Sequence, residues 1–246
     1  MTEPVRWTRA AVYPDMWVDP DEDPRNTDGV SPDGELATLL DYTASYRTTL
    51  LMKCEGLDPE QLARRSVPPS TMSLLGVVRH LAEVEREWRG WVSDDDGEPA
   101  LYGGHDADFD GAVADQRVVD EAYANLAREQ AATDAVLARH PDLGERLGAD
   151  RVAVREVLVH RIEEYARHCG HADLLRERID GRTGQPGLSR RRPCRSRRPA
   201  SRRPRRRGRA VPHAAAPRPH PGPAAPPRPA VLAAALAPPP RVALPA

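Results

Sequence analysis

The sequence predicts an all-α protein: an up-and-down four-helix bundle with a long acidic crossover loop and a disordered C-terminal tail. Three observations point there. Apolar residues recur at helical spacing through four long stretches. No stretch shows the sustained alternation of a half-buried strand. Leu, Val and Ala dominate the apolar content while aromatics are scarce, Phe109 being the one phenylalanine, which disfavours a β-sandwich.

The elements follow in order. Residues 1–33 are rich in Pro and Asp and form an N-terminal arm, which Trp7 and Trp17 are expected to pin to the body. The bundle is expected over residues 34–184. Its first helix runs from about Gly34 to Glu55, with Leu36, Leu39, Leu40, Thr43, Leu50, Leu51 and Cys54 near helical spacing and Gly56 as the stop. Asp58-Pro59-Glu60 starts a short helical turn, because Asp caps well and Pro fits the first helical position. After the break at Pro68-Pro69-Ser70, a second helix runs from Thr71 to Trp91, with Leu74, Val77, Val78, Leu81, Val84, Trp88 and Trp91 on its apolar face. Residues 93–114 are acidic and Gly-rich and read as a mobile, solvated loop. A third helix covers Gln116 to Arg139, ended by Pro141 and Gly144. A fourth covers Val152 to Arg178, ended by Asp180-Gly181.

Charge divides the chain in two. From Pro186 onward there are 15 arginines, 16 prolines and no acidic residue, so the first 185 residues carry −16 of a chain total of −1. The tail, residues 185–246, cannot bury a core and is expected to be disordered. Its composition is also what a shifted reading frame in GC-rich DNA produces. Arginines attract phosphate backbones, but the tail lacks lysine and interleaved aromatics, and no helix-turn-helix or zinc-finger pattern accompanies it. Nucleic-acid binding through the tail therefore ranks only as a third reading, and nucleic acid is not the expected partner. The N-terminus has no apolar signal segment, and the longest apolar run falls well short of the roughly 18 residues that span a membrane. A cytoplasmic protein with no membrane partner is expected. Cys54, Cys169 and Cys194 show no paired spacing, so neither a disulfide framework nor a thiolate zinc site is in view. Nucleotide-binding loops and the serine-hydrolase elbow are absent from the sequence.

Chemistry concentrates on two helices. In the last, His160, Glu164, His168 and His171 fall within a stripe of about 80° at 100° per residue, on the flank of the apolar face. In the second, His80 flanks its own apolar stripe in the same way. Neutral imidazole and carboxylate bind borderline divalent metals at about 2.0 to 2.2 Å, and bundles build such sites from facing helices. Two donors four apart plus a third from another helix leave a coordination position open, as catalytic sites do. Spacing leaves three sets open: Glu164/His168, His160/Glu164, or His160/His168/His171. A flank histidine is ordinarily just solvated or hydrogen-bonded, Cys54 and Cys169 read as small core residues, and Asp173 and Glu177 near Arg176 and Arg178 read as a solvated face. His105, Asp106, Asp108 and Asp110 are candidates to line the cleft or bind a cation, but a mobile, solvated loop is the favoured reading.

The stretches MSLLGVVRHLAEVEREW (72–88) and VHRIEEYARHCGHADLLRERIDGRTG (159–184), with LLMKCEGLDPEQL (50–62), resemble the DinB-like superfamily. Within it they are similar to a branch of uncharacterised bacterial proteins that includes the mini-circle proteins. The resemblance implies a four-helix bundle holding a divalent metal, usually zinc or nickel, between a histidine of the second helix and two residues four apart on the last. It selects His80, Glu164 and His168 as ligands and leaves His160 and His171 behind them or against substrate. Glu164 stands where the common pattern has histidine, and His171 where it has glutamine. A glutamate there also occurs in the related mycothiol-dependent maleylpyruvate isomerase. The implied activity is S-transfer or isomerisation with a low-molecular-weight thiol and an electrophile as partners. The alternative is a non-catalytic metal-binding or stress-related bundle. Exposed bundle faces suit a homodimer.

Overall fold

The computed structural model describes residues 4–26, 31–93 and 98–184. Four long helices form its frame: α1 (Glu35–Cys54), α3 (Leu74–Trp91), α5 (Gln116–Leu137) and α6 (Val154–Asp180). Two short helices, α2 (Pro59–Ala63) and α4 (Ala107–Asp110), sit in the connections. An antiparallel pair, β1 (Arg146–Leu147) and β2 (Val152–Ala153), precedes α6. This pair was not legible in the sequence, because two residues per strand are too few to show alternation. The predicted tail lies outside the described residues.

Local chemistry sets the helix ends. Asp58 accepts from the Gln61 amide at 2.8 Å while the Gln61 side chain accepts from the Asp58 amide, a complete capping box for α2. The Ser73 hydroxyl accepts from the Gly76 amide at 3.0 Å, which starts α3 at Leu74 rather than at Thr71. Asp115 caps α5 through the Arg117 amide at 2.8 Å. Gly181 closes α6 in the left-handed region, with φ +82°. A Cβ on Gly181 would lie 2.1 Å from the Val5 carbonyl oxygen, so only glycine admits the arm there.

In the bundle, α1 packs along α6 and α3 along α5, with α3 also meeting α6. Leu50, Leu74, Leu75, Leu81, Trp88 and Leu158 are among its fully enclosed side chains. Leu40 and Leu51, expected on the apolar face of the first helix, are exposed instead. Successive residues point about 100° apart. With Leu50 fully buried, the adjacent Leu51 turns outward.

The core also holds charge. The Glu85 carboxylate on α3 and the Arg161 guanidinium on α6 are both fully enclosed and hydrogen-bonded at 3.1 Å. Arg47 of α1 and Tyr165 of α6 add bonds to Glu85 at 2.7 and 2.9 Å, and Asp134 of α5 accepts from both Arg47 and Arg161 at 2.7 Å. A second cluster joins α3 to α5, where buried Glu129 accepts from Arg86 at 2.9 Å, Arg89 at 2.7 Å and Arg128 at 2.9 Å. The arm is tied down as well. Trp17 is buried under the Lys53 ammonium at 3.7 Å and the Arg182 guanidinium at 3.8 Å, and Trp7 exchanges backbone bonds with Gly181 and Thr183. The face around Asp173 and Arg176, expected to be solvated, instead carries buried and paired charge. Arg176 is buried, bonded to Asp180 and to the carbonyls of Lys53 and Glu55, while Asp173 pairs with buried Lys53 at 2.5 Å. No described helix is long and apolar enough to cross a membrane.

Burial alone would raise the pKa of Glu129, but the bonds from Arg86, Arg89 and Arg128 outweigh it and draw it down to about 2. A carboxylate depressed in the folded state stabilises the fold above its unfolded pKa of about 4.3, and that contribution is lost as pH falls toward the folded value. Glu129→Gln is expected to cost on the order of 3 kcal/mol at neutral pH. It should also flatten the decline of stability below about pH 4.5. Urea unfolding followed across pH checks this; identical acid limbs in the two proteins would refute it.

Candidate metal centre

His80 projects from the middle of α3, and Glu164 and His168 project from successive turns of α6. The structure brings one donor atom from each within 4.8 Å of the others. His168 Nε2 lies 3.3 Å from Glu164 Oε2. Two ligands of a tetrahedral ion at 2.0 to 2.1 Å stand about 3.4 Å apart, so this pair is already near its binding separation. The His80 and His168 rings face each other with centroids 4.8 Å apart. His168 and Glu164 are largely enclosed, while the His80 side chain is a quarter exposed.

Each donor group is held from behind. His80 Nδ1 donates to Asp108 Oδ2 at 2.7 Å, which leaves Nε2 as its free lone pair. Phe109 stacks on the same ring at 5.1 Å. His168 Nδ1 meets His171 Nδ1 at 3.4 Å. Glu164 Oε1 accepts from Arg167 Nη1 at 2.8 Å, leaving Oε2 toward His168. Such outer contacts fix ring orientation and tautomer in metal sites. Burial, with His80, His171 and Arg167 nearby, pushes the pKa of His168 down to about 3. The ring is therefore neutral at ordinary pH, as a metal ligand must be. The donor set and its geometry fit a divalent cation of the zinc type.

The acidic loop departs from the sequence expectation. Its described residues are bound to α3 rather than loose in solvent. Glu83 accepts from the Leu101 and Tyr102 amides at 3.0 and 3.1 Å, and Arg79 donates to the Asp108 and Ala107 carbonyls at 2.7 and 3.1 Å. Gly76 lets Phe109 close on α3, since a Cβ there would stand 2.8 Å from the Phe109 ring. Asp108, whose favoured reading from sequence is solvated loop with the cleft second, and Phe109, which carries no such signal, are thus both at the site. The available signal was the run Asp106, Asp108 and Asp110 in the loop, and nothing in that spacing says which of them meets α3. His105 and Asp110 bond elsewhere, to Asp106 and Arg65. His160 is not gathered with the trio: its ring stacks on Trp91 at 5.5 Å and meets the edge of Trp88 at 5.8 Å. Beside His80 a cleft of about 240 Å³ opens between α3 and the loop, lined by Glu83, Glu87, Tyr102, His105 and Asp106 among others.

The sequence model described as mycothiol-S-transferase matches residues 38–181. The chain belongs to the mycothiol-S-transferase family. The match covers α3, α5 and α6 and all but the first three residues of α1, and His80, Glu164, His168, Asp108 and His171 lie inside it. No curated protein matches the chain. The mycothiol-S-transferase fold here thus places two imidazoles and a carboxylate at one point, with a cleft leading to one of them.

The Asp108 contact makes a prediction that needs no metal. His80 is expected to carry its proton on Nδ1, and Asp108→Leu should move a large fraction of it to Nε2. Long-range proton–nitrogen NMR correlations read the tautomer directly. An unchanged His80 pattern in the variant would show that Asp108 does not orient the ring.

Proposed function

We propose that the chain transfers a low-molecular-weight thiol of the mycothiol type to an electrophile, with zinc or nickel held by His80, Glu164 and His168. The observation that carries this reading is the convergence of three donors, each backed by its own partner, in a member of the mycothiol-S-transferase family. A divalent cation at this position lowers the pKa of a neighbouring thiol, making it a nucleophile at neutral pH.

The protein's own groups supply position and neutrality. His168 is kept uncharged by burial, so it offers a lone pair instead of a repelling proton. Asp108 and Arg167 aim His80 and Glu164. The cleft beside His80 gives the thiol and electrophile a place to meet, with its polar rim suited to a hydroxyl-rich cosubstrate. In a transfer the sulfur forms a bond to carbon while a leaving group such as halide departs and the thiol proton passes to solvent. In an isomerisation the sulfur adds and later leaves. On this reading the activity is cytoplasmic and its partners are small molecules.

Metal analysis of the purified protein after loading with zinc or nickel tests the site, and turnover of mycothiol with a chloroarene or a maleyl compound tests the chemistry. The unsubstituted protein is expected to bind one metal per chain. His168→Ala should lower metal affinity by about a hundredfold and abolish turnover. Absence of stoichiometric metal in the unsubstituted protein overturns the centre. Stoichiometric metal with no turnover of either electrophile would leave a metal-binding bundle without catalysis.

A further inference from the structure

The cleft beside His80 carries a charge that selects among electrophiles. Four carboxylates line it: Glu83 and Glu87 from α3, and Asp106 and Asp108 from the loop. Among the described residues no lysine or arginine lines it. The arginines on its flanking elements are engaged elsewhere. Arg79 gives Nε and Nη2 to the Asp108 and Ala107 carbonyls and its flat face to Tyr102 at 3.8 Å. Arg86 is held by Glu129 and the Pro99 carbonyl, and Arg167 by Glu163 and Glu164.

The partners of the four carboxylates leave most of their charge in place. Glu83 accepts from the Leu101 and Tyr102 amides, and Asp108 from the Phe109 amide and the His80 ring. Amide donors satisfy hydrogen bonding without supplying a cation. Asp106 meets His105 at 2.9 Å on the exposed rim. Glu87 has no hydrogen bond or ion pair among the described residues. Burial, then the neighbouring Glu83 and Asp108, push its pKa up against a downward pull from His80, so Glu87 registers the crowding of negative charge. A divalent ion at the trio does not reverse the sign, because Glu164 and a thiolate at the same point balance its two charges.

We infer that this member takes a neutral or cationic electrophile and rejects one that carries a carboxylate beside its reacting carbon. The inference rests on the thiol-transfer reading and narrows it. A chloroarene fits these walls and a maleyl carboxylate does not, which favours transfer over isomerisation. Like charges repel across a cleft, and its low-dielectric walls concentrate the field. Val84, Ala100 and Tyr102 supply apolar surface for an uncharged carbon skeleton.

Three matched probes separate charge from the reacting group: chloronitro derivatives of benzylamine, benzamide and benzoate. Binding to the full chain, without added metal or thiol, is followed by the NMR shifts of His80 and His105. The ammonium should bind about tenfold more tightly than the carboxylate, with the amide between, and the spread should shrink in about 0.5 M salt. With zinc and mycothiol present, kcat/KM for each probe, divided by its uncatalysed rate constant, should follow the same order. Glu87→Lys should raise the carboxylate-to-amide ratio by about tenfold, a gain that misfolding does not produce. A carboxylate probe that binds or turns over as well as the amide overturns the inference and leaves thiol transfer standing. An unchanged ratio in Glu87→Lys, or no saturable binding of any probe by ~50 mM, overturns it as well. No turnover of any probe, with the binding order intact, removes thiol transfer and the electrophile with it, and leaves a cleft that prefers cations.

Discussion

The register of this bundle rests on the buried cluster around Glu85. Every long helix contributes to it: Arg47 from α1, Glu85 from α3, Asp134 from α5, and Arg161 with Tyr165 from α6. Apolar packing tolerates substitution and some sliding. Guanidinium–carboxylate bonds are directional and short-ranged, and an enclosed Arg161 or Glu85 without its partner would cost about 3 to 5 kcal/mol. Shifting α6 by a turn against α3 would strand both. The same register sets Glu164 and His168, which flank Tyr165 in sequence, opposite His80, which precedes Glu85 by five residues. We read the charge cluster as the lock and the donor trio as what it aligns.

Around the trio, the protein spends side chains on orientation. Asp108 fixes one nitrogen of His80, His171 faces one nitrogen of His168, and Arg167 engages one oxygen of Glu164. Asp108 comes from a segment rich in acid and glycine, which in isolation has no reason to be ordered. It is ordered because Arg79 and Glu83, both on α3, engage its backbone on either side. The loop thus belongs to the site, and its closeness to α3 shapes the cleft beside His80.

Arginine is the recurring instrument. In a chain with a single lysine, buried guanidinium groups join α1 to α6, α3 to α5, and the arm to the helix end. A guanidinium's five donors and flat face let one residue bridge several elements, which a lysine ammonium does poorly. Arg182 uses its flat face, stacked on Trp17, while its Nε and Nη2, like Nε and Nη1 of Arg161, have no acceptor among the described residues.

The helices, their order and most of their ends are readable from local sequence, because 3.6-residue periodicity, capping residues and Gly or Pro stops act over a few residues. The sequence also narrowed the chemistry to His80 and the stripe of His160, Glu164, His168 and His171, through spacing on one helix and likeness to a family. Tertiary structure decided the rest. It separated His160, stacked on Trp91, from the trio, and drew in Asp108 and Phe109 from a loop whose composition reads as solvated. It buried Arg161, Arg176 and Glu85, which a hydrophobicity pattern assigns to the surface. The reason is the same in each case. These residues are defined by partners 28 to more than 120 positions away, and nothing local in a sequence records which distant charge a buried charge will meet.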